Sequence, residues 1–174
     1  MNDTLKVLET RRSCRNFKPD MISEEQLQEI LTAGTYAATG MGKQSPLIIA
    51  VTQKELRDRI SEENRRIMGA PEGMDPFYGA PVILIVLADK SVPTHVYDGS
   101  LVMGNLMNAA HALDVDSCWI HRAKEVFDSE EGKELKKQWG VPDEYIGVGH
   151  CVLGYRDCEY PAAKPRKEGF VIRV

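Results

Sequence analysis

Val82-Ile83-Leu84-Ile85-Val86-Leu87 is an unbroken apolar run. Successive strand side chains point to opposite faces, so the run predicts a central strand covered on both sides rather than an edge. Such a strand demands helices above and below it, and the flanking sequence offers them. Over residues 97–113, Leu101, Val102, Met103, Leu106, Met107, Ala109, Ala110, Ala112 and Leu113 leave almost no polar side, which predicts a helix buried all round. Residues 22–37 read as another helix. Ser23-Glu24-Glu25-Gln26 forms a capping box, and Leu27, Ile30, Leu31 and Gly34 keep one side apolar or small.

Helices are also expected at 3–12, at 54–67 as a charged, solvent-facing element, and at 129–139 as an amphipathic one. Residues 47–51 read as a buried strand, and 115–120 and 145–153 as two more. Within the last, Gly147-Val148-Gly149 marks a place where a helix packs closely on the sheet. The Gly/Pro/Met-rich stretch 69–80 is expected to be a mobile loop. Phe170-Val171-Ile172-Arg173-Val174 is strand-like without a local partner, so its pairing is expected elsewhere, on another subunit. The order of elements predicts one domain over 1–174, a sheet sandwiched by helices. There are too few strands, and no glycine fingerprint, to support a doubly wound nucleotide fold.

Composition narrows the function. The 174 residues carry 22 Lys and Arg against 26 Asp and Glu, a net charge of −4 that argues against a nucleic-acid binder. No apolar stretch is long enough for a membrane span. The start lacks the layout of a signal peptide, so a cytoplasmic protein with reduced cysteines is expected. Cys14, Cys118, Cys151 and Cys158 have neither zinc nor Cys-x-x-Cys spacing. His95, His111, His121 and His150 are scattered, and no metal site is expected.

Against this acidic background, Arg11-Arg12-Ser13-Cys14-Arg15 concentrates positive charge and a hydroxyl between two helices. The guanidinium fork matches phosphate oxygens and keeps its charge. Lys164-Pro165-Arg166-Lys167 is a second basic cluster; brought to the first, it makes one anion site. A solvated helix end is the plainer reading of the pentad. Gly40-Met41-Gly42-Lys43-Gln44-Ser45 fails as a nucleotide-hydrolase phosphate loop, because a helix precedes it and a strand follows. Asp98 reads as a cap or first-turn residue. His121 and Arg122 follow a strand, where binding residues often sit.

With these pieces placed, the chain resembles the short form of the FMN-dependent nitroreductase family. The matching stretches are Arg11-Arg12-Ser13-Cys14-Arg15-Asn16-Phe17, Ala37-Ala38-Thr39-Gly40-Met41-Gly42-Lys43-Gln44, the 99–110 part of the apolar helix, Asp116-Ser117-Cys118-Trp119-Ile120, and Leu153-Gly154-Tyr155 leading into the basic tail. The resemblance implies an α+β fold with a mixed sheet flanked by helices. It also implies an intertwined homodimer with C-terminal strand exchange and FMN at the subunit interface. It places Arg11, Arg12, Ser13 and Arg15 on the flavin, with Lys164 and Arg166 on its phosphate. Ala38, Thr39, Gly40, Met41 and Gln44 fall in a loop that approaches the other subunit's flavin, and Ile120, His121 and Arg122 lie near the ring. Gly42 stands where relatives commonly carry Asn, and His121-Arg122 replaces a small or Glu-Gly pair.

The implied activity is two-stage hydride transfer through flavin N5, from NADH or NADPH to a nitroaromatic, quinone or similar small-molecule acceptor. No catalytic acid–base residue is needed, because the flavin carries the redox chemistry. A non-catalytic flavin-binding or sensing module, and a specialised flavin reductase or dehalogenase, are the alternative readings.

Overall fold

The structure, a computed structural model, describes residues 2–174, so Met1 of the expected 1–174 domain lies outside it. Its strands are β1 (Pro46–Val51), β2 (Val82–Asp89), β3 (Asp116–Ile120) and β4 (Tyr145–Gly154), joined in the order β1-β2-β4-β3. The helices are α1 (Asp3–Thr10), α2 (Glu24–Thr35), α3 (Lys54–Met68), α4 (His95–Ala112), α5 (Ala123–Asp128) and α6 (Glu130–Gln138). All neighbouring strands run antiparallel. The parallel component of the expected mixed sheet reduces, among the described residues, to one bridge between Ser13 and Ser117.

β2 is central and dry, with every residue from 82 to 88 at 0% exposure. Its side chains divide by the period of two. Val82, Leu84 and Val86 meet Leu27 and Ile30 of α2 and Val102, Met103 and Leu106 of α4. Ile83, Ile85 and Leu87 meet Ile60 of α3, Phe127 of α5, Leu135 of α6 and Phe77. The capping box of α2 forms as read: Ser23 Oγ accepts from Gln26 N–H, and Gln26 Oε1 accepts from Ser23 N–H.

The glycines of β4 serve close packing. The register slips between Val86 and Leu87, which face Gly149 and Gly147, and Val148 is the extra residue of this bulge. A Cβ on Gly147 would lie 2.1 Å from the Ala123 carbonyl oxygen, so α5 seats directly on the strand.

Several expectations need correction. β1 is an edge strand, half-exposed over most of its length, because β2 and β4 take the interior positions. α3 is not simply solvent-facing: Arg57, Ile60, Ser61, Glu63 and Asn64 are buried against the sheet side. α4 is not buried all round, since Tyr97 and Leu101 are 72% and 51% exposed, and Leu5 and Leu8 of α1 are exposed too. One chain has no layer left to cover them. The 129–139 helix begins one residue later, and α5, which the sequence reading left out, precedes it. Phe170-Val171-Ile172-Arg173-Val174 forms no strand within the chain, because no sheet edge comes to it to satisfy its backbone groups.

The 69–80 stretch is held rather than loose. Asp75 accepts from Arg57, from Ser61 Oγ at 2.6 Å, and from the N–H groups of Phe77 and Gly79 at 2.9 and 2.8 Å. Burial opposes the Asp75 charge, but these donors outweigh it and hold its pKa below the usual carboxylate range. Phe77 is thereby kept at 0% exposure, with its ring 5.2 Å from that of His150.

His150, on β4, is fully buried, and desolvation pushes its pKa down to about 4. The unfolded chain therefore binds a proton that the fold excludes between pH 6.5 and 4. The stability this group contributes is fully present above pH 6.5 and is lost as pH falls toward 4. Urea unfolding measured from pH 7 to pH 4 should show stability falling across that window, and His150→Phe should flatten the slope.

Candidate functional site

The cationic segment 11–15 lies along the outer edge of β3. Cys14 N–H donates to Ser117 O at 2.9 Å, and Ser13 bridges Ser117. α1 ends at Thr10, so the chain enters this edge extended and leaves successive side chains on alternate sides. Among the described residues, Arg11, Arg12 and Arg15 pair with no carboxylate. The ion pairs that exist join other residues, such as Arg156 with Asp116 at 3.0 Å.

Three buried donor atoms on this edge have no partner: Arg11 Nη1, Arg12 Nε and Ser117 Oγ. Leaving a buried guanidinium nitrogen without an acceptor costs free energy that an anion would recover. Burial pushes the Cys118 thiol above its ordinary pKa, and the neighbouring Ser13, Arg15 and Arg11 oppose that rise without cancelling it. The hydroxyl and two guanidiniums therefore converge on one stretch of β3.

At the end of β3 the chain turns through His121 and Arg122 into α5. Arg122 adopts a left-handed conformation with φ of 72°. Asn64, 0% exposed on α3, holds this turn. Its Nδ2 donates to His121 O at 3.0 Å, and its Oδ1 accepts from Arg122 Nε at 3.0 Å. A cleft of about 120 Å³ opens here, bringing Arg15, Ile120, His121 and Arg122 together with Met68, Met74 and Tyr78. Sequence reading missed Asn64. Its signal was a polar residue between Ile60 and Ile67, at helical spacing on the buried side of α3.

The other expected residues lie elsewhere. Ala38, Thr39, Gly40, Met41 and Gln44 occupy the loop before β1, at the opposite edge of the sheet. Three strand spacings of about 4.8 Å put this edge roughly 14 Å from β3. Asp98, buried in the first turn of α4, fixes the loop by accepting from Gly40 N–H at 2.9 Å, Ser45 Oγ at 3.1 Å and Thr94 Oγ1 at 3.0 Å. Gly40 is required there, because a Cβ would lie 2.3 Å from Thr94 Oγ1. Met41 is 83% exposed with a positive φ. Thr39 and Gln44 border a groove of about 460 Å³ between α2 and β1, floored by Leu31, Gly34, Ile48 and Val102.

Among the described residues no hydrogen bond joins Lys164 or Arg166 to the first cluster. Both are exposed, and Arg166 donates to Lys164 O at 2.6 Å. What ties this tail down is Tyr160, whose hydroxyl donates to Thr10 O at 2.8 Å and accepts from Arg12 N–H at 3.1 Å. Among the described residues no helix is long and apolar enough to cross a membrane.

The profile described as "Nitroreductase family" matches residues 8–155. The chain belongs to the nitroreductase family. Solved nitroreductases with bound FMN resemble it over the whole of both chains. One from Bacteroides fragilis is 28% identical with a TM-score of 0.89, and one from Desulfitobacterium hafniense is 29% identical with a TM-score of 0.90. The "FMN reductase [NAD(P)H]" of Bacillus subtilis is 33% identical over 95% of this nitroreductase and 70% of its own length.

The buried amide of Asn64 joins the helix layer of this nitroreductase to the turn at the end of β3. Asn64→Ala leaves Arg122 Nε and the His121 carbonyl without it, and should cost about 1–3 kcal/mol in a urea melt. Asn64→Asp, which keeps an acceptor for Arg122, should recover part of that loss.

Proposed function

We propose that this nitroreductase is a homodimeric, FMN-dependent oxidoreductase that uses NADH or NADPH to reduce nitroaromatics, quinones or similar electron-poor acceptors. The observation that carries this reading is the row of unpartnered buried donors, Arg11 Nη1, Arg12 Nε and Ser117 Oγ, on the unpaired cationic edge. Such an edge fits a phosphate-bearing group. FMN held there would supply the hydride chemistry that links the nicotinamide to the acceptor.

The chain supplies the cradle. Arg11, Arg12 and Ser13 bind the anionic parts of the cofactor, with Lys164 and Arg166 of the tail adding to its phosphate. Arg15 lies toward the cleft with Ile120, His121 and Arg122, and Arg11 and Arg15 offset negative charge that develops on the ring during reduction. The role is electrostatic, so no side chain has to move a proton.

A second copy completes the site. The loop with Ala38, Thr39, Gly40, Met41 and Gln44 is held by Asp98 at the edge away from the cationic segment, where it serves a partner's cofactor rather than its own. The apolar surface of Tyr97, Leu101, Leu5 and Leu8 is the face for that partner. Phe170, Val171 and Ile172, 78%, 74% and 83% exposed, have the length and pattern to extend a partner's β1, whose outer edge has no neighbour among the described residues.

Protein supplied with FMN should be yellow, bleach anaerobically with NADH or NADPH, and regain its colour with a nitroaromatic. Protein that takes up no FMN overturns the reading. Holding FMN without turnover on any acceptor indicates a binding module instead. Arg11→Ala should weaken FMN binding about tenfold or more, equivalent to a charge-assisted bond of about 1.5–3 kcal/mol. Ile172→Asp should shift the protein from dimer toward monomer in sedimentation; an unchanged dimer would place the tail off the interface.

A further inference from the structure

One side chain from the tail bridges the point where α1 gives way to the cationic segment. The Tyr160 hydroxyl donates to Thr10 O at 2.8 Å and accepts from Arg12 N–H at 3.1 Å. Those two groups belong to the peptide bonds on either side of Arg11. Arg11 caps α1 with φ of −54° and ψ of 132°, an extended geometry in which a chain makes no hydrogen bond of its own between neighbouring peptides. The hydroxyl supplies that bridge, and with it the direction in which Arg11 and Arg12 leave the helix.

The ring has partners as well. It stacks on His111, with centroids 5.9 Å apart and 14° between the planes, and the Arg156 guanidinium carbon lies 4.4 Å from its centroid. Arg156 is in turn paired with Asp116 of β3 at 3.0 Å. His111, in the last turn of α4, has Nε2 2.8 Å from Thr10 Oγ1; that hydroxyl donates to Lys6 O at 2.6 Å, so it accepts from the imidazole. Tyr160 is thus lodged among α1, α4 and β3 while 37% of it stays exposed.

Two of the unpartnered buried donors belong to the residues this hydroxyl governs. Arg12 folds its guanidinium back, Nη1 donating to Glu9 O and Arg11 O at 2.8 Å each, which leaves Nε without an acceptor, and Arg11 Nη1 has none either. Any turn of the peptide groups that Tyr160 bonds moves both side chains at their base.

We propose that Tyr160 is a positioning residue, whose hydroxyl sets Arg11 and Arg12 so that the site selects a flavin bearing a phosphate over the same flavin without one. The role rests on the flavin reading and deepens it. Without the hydroxyl the Arg11 backbone is free, and the cost of ordering it falls on phosphate binding. Oxidised riboflavin carries no phosphate and no net charge, so it does not draw on that order.

Full-length protein, freed of flavin by dialysis, is titrated with FMN and with riboflavin, and quenching of flavin fluorescence gives each Kd. Wild-type protein should bind FMN more tightly than riboflavin. Tyr160→Phe keeps the ring on His111 and Arg156 and removes only the oxygen. It should weaken FMN about fivefold, the worth of one net hydrogen bond, and leave riboflavin within about twofold. In Arg11→Ala protein the effect of Tyr160→Phe on FMN should shrink, because both substitutions act through one contact. An unchanged FMN Kd overturns the proposal, as does equal weakening of both flavins, the mark of a merely structural role. Full additivity with Arg11→Ala overturns it too. Wild-type protein that binds no FMN overturns the flavin reading and this role with it, whereas wild-type preference for FMN that survives in Tyr160→Phe overturns the role alone.

Discussion

The complete burial of β2 is the constraint from which the rest of the architecture follows. Seven consecutive residues at 0% exposure leave no wet face, so the sheet must carry a helical layer on each side. Each fully buried aliphatic side chain contributes about 1.5–3 kcal/mol relative to exposure, a large sum against the entropy of ordering the chain. α2 and α4 form one layer, and α3, α5, α6 and the Phe77 loop form the other. With β2 and β4 enclosed, β1 and β3 form the two outer edges of the sheet.

Those edges are unlike. The β3 edge is taken by a backbone segment carrying Arg11, Arg12 and Arg15, which brings unneutralised charge and unpartnered donors to a single line. The β1 edge is apolar and only half-covered, beside a groove lined by Leu31, Ile48 and Val102.

Single buried polar side chains set the loops around this frame. Asp98 captures the Gly40 loop, Asn64 the His121-Arg122 turn, and Asp75 the stretch ahead of β2. Asp98 and Asn64 sit in helices rather than in the loop or turn they tie down, whereas Asp75 lies within its own stretch and is anchored to Arg57 and Ser61 of α3; each hydrogen-bonds backbone groups of the segment it holds. The loops are thus positioned by the rigid layers, a requirement for any site whose donors must meet a ligand at fixed distances.

Local pattern determined a good deal by itself. The apolar run at 82–87 could only be an interior strand, the Ser23 to Gln26 box started α2 where expected, and Gly147 marked a close helix contact, because these depend on neighbours in the chain. The basic pentad stood out in an acidic chain, and among the described residues its arginines pair with no carboxylate. Tertiary structure decided what composition cannot encode. Apolar character alone does not separate the edge strand β1 from a buried one, or an α4 enclosed by its own chain from one left partly exposed. Asn64 was invisible because its partners, His121 and Arg122, lie far along the chain. The separation of the 38–44 loop from residues 11–15 is likewise a matter of strand order, which follows from how the whole sheet packs and not from any one segment.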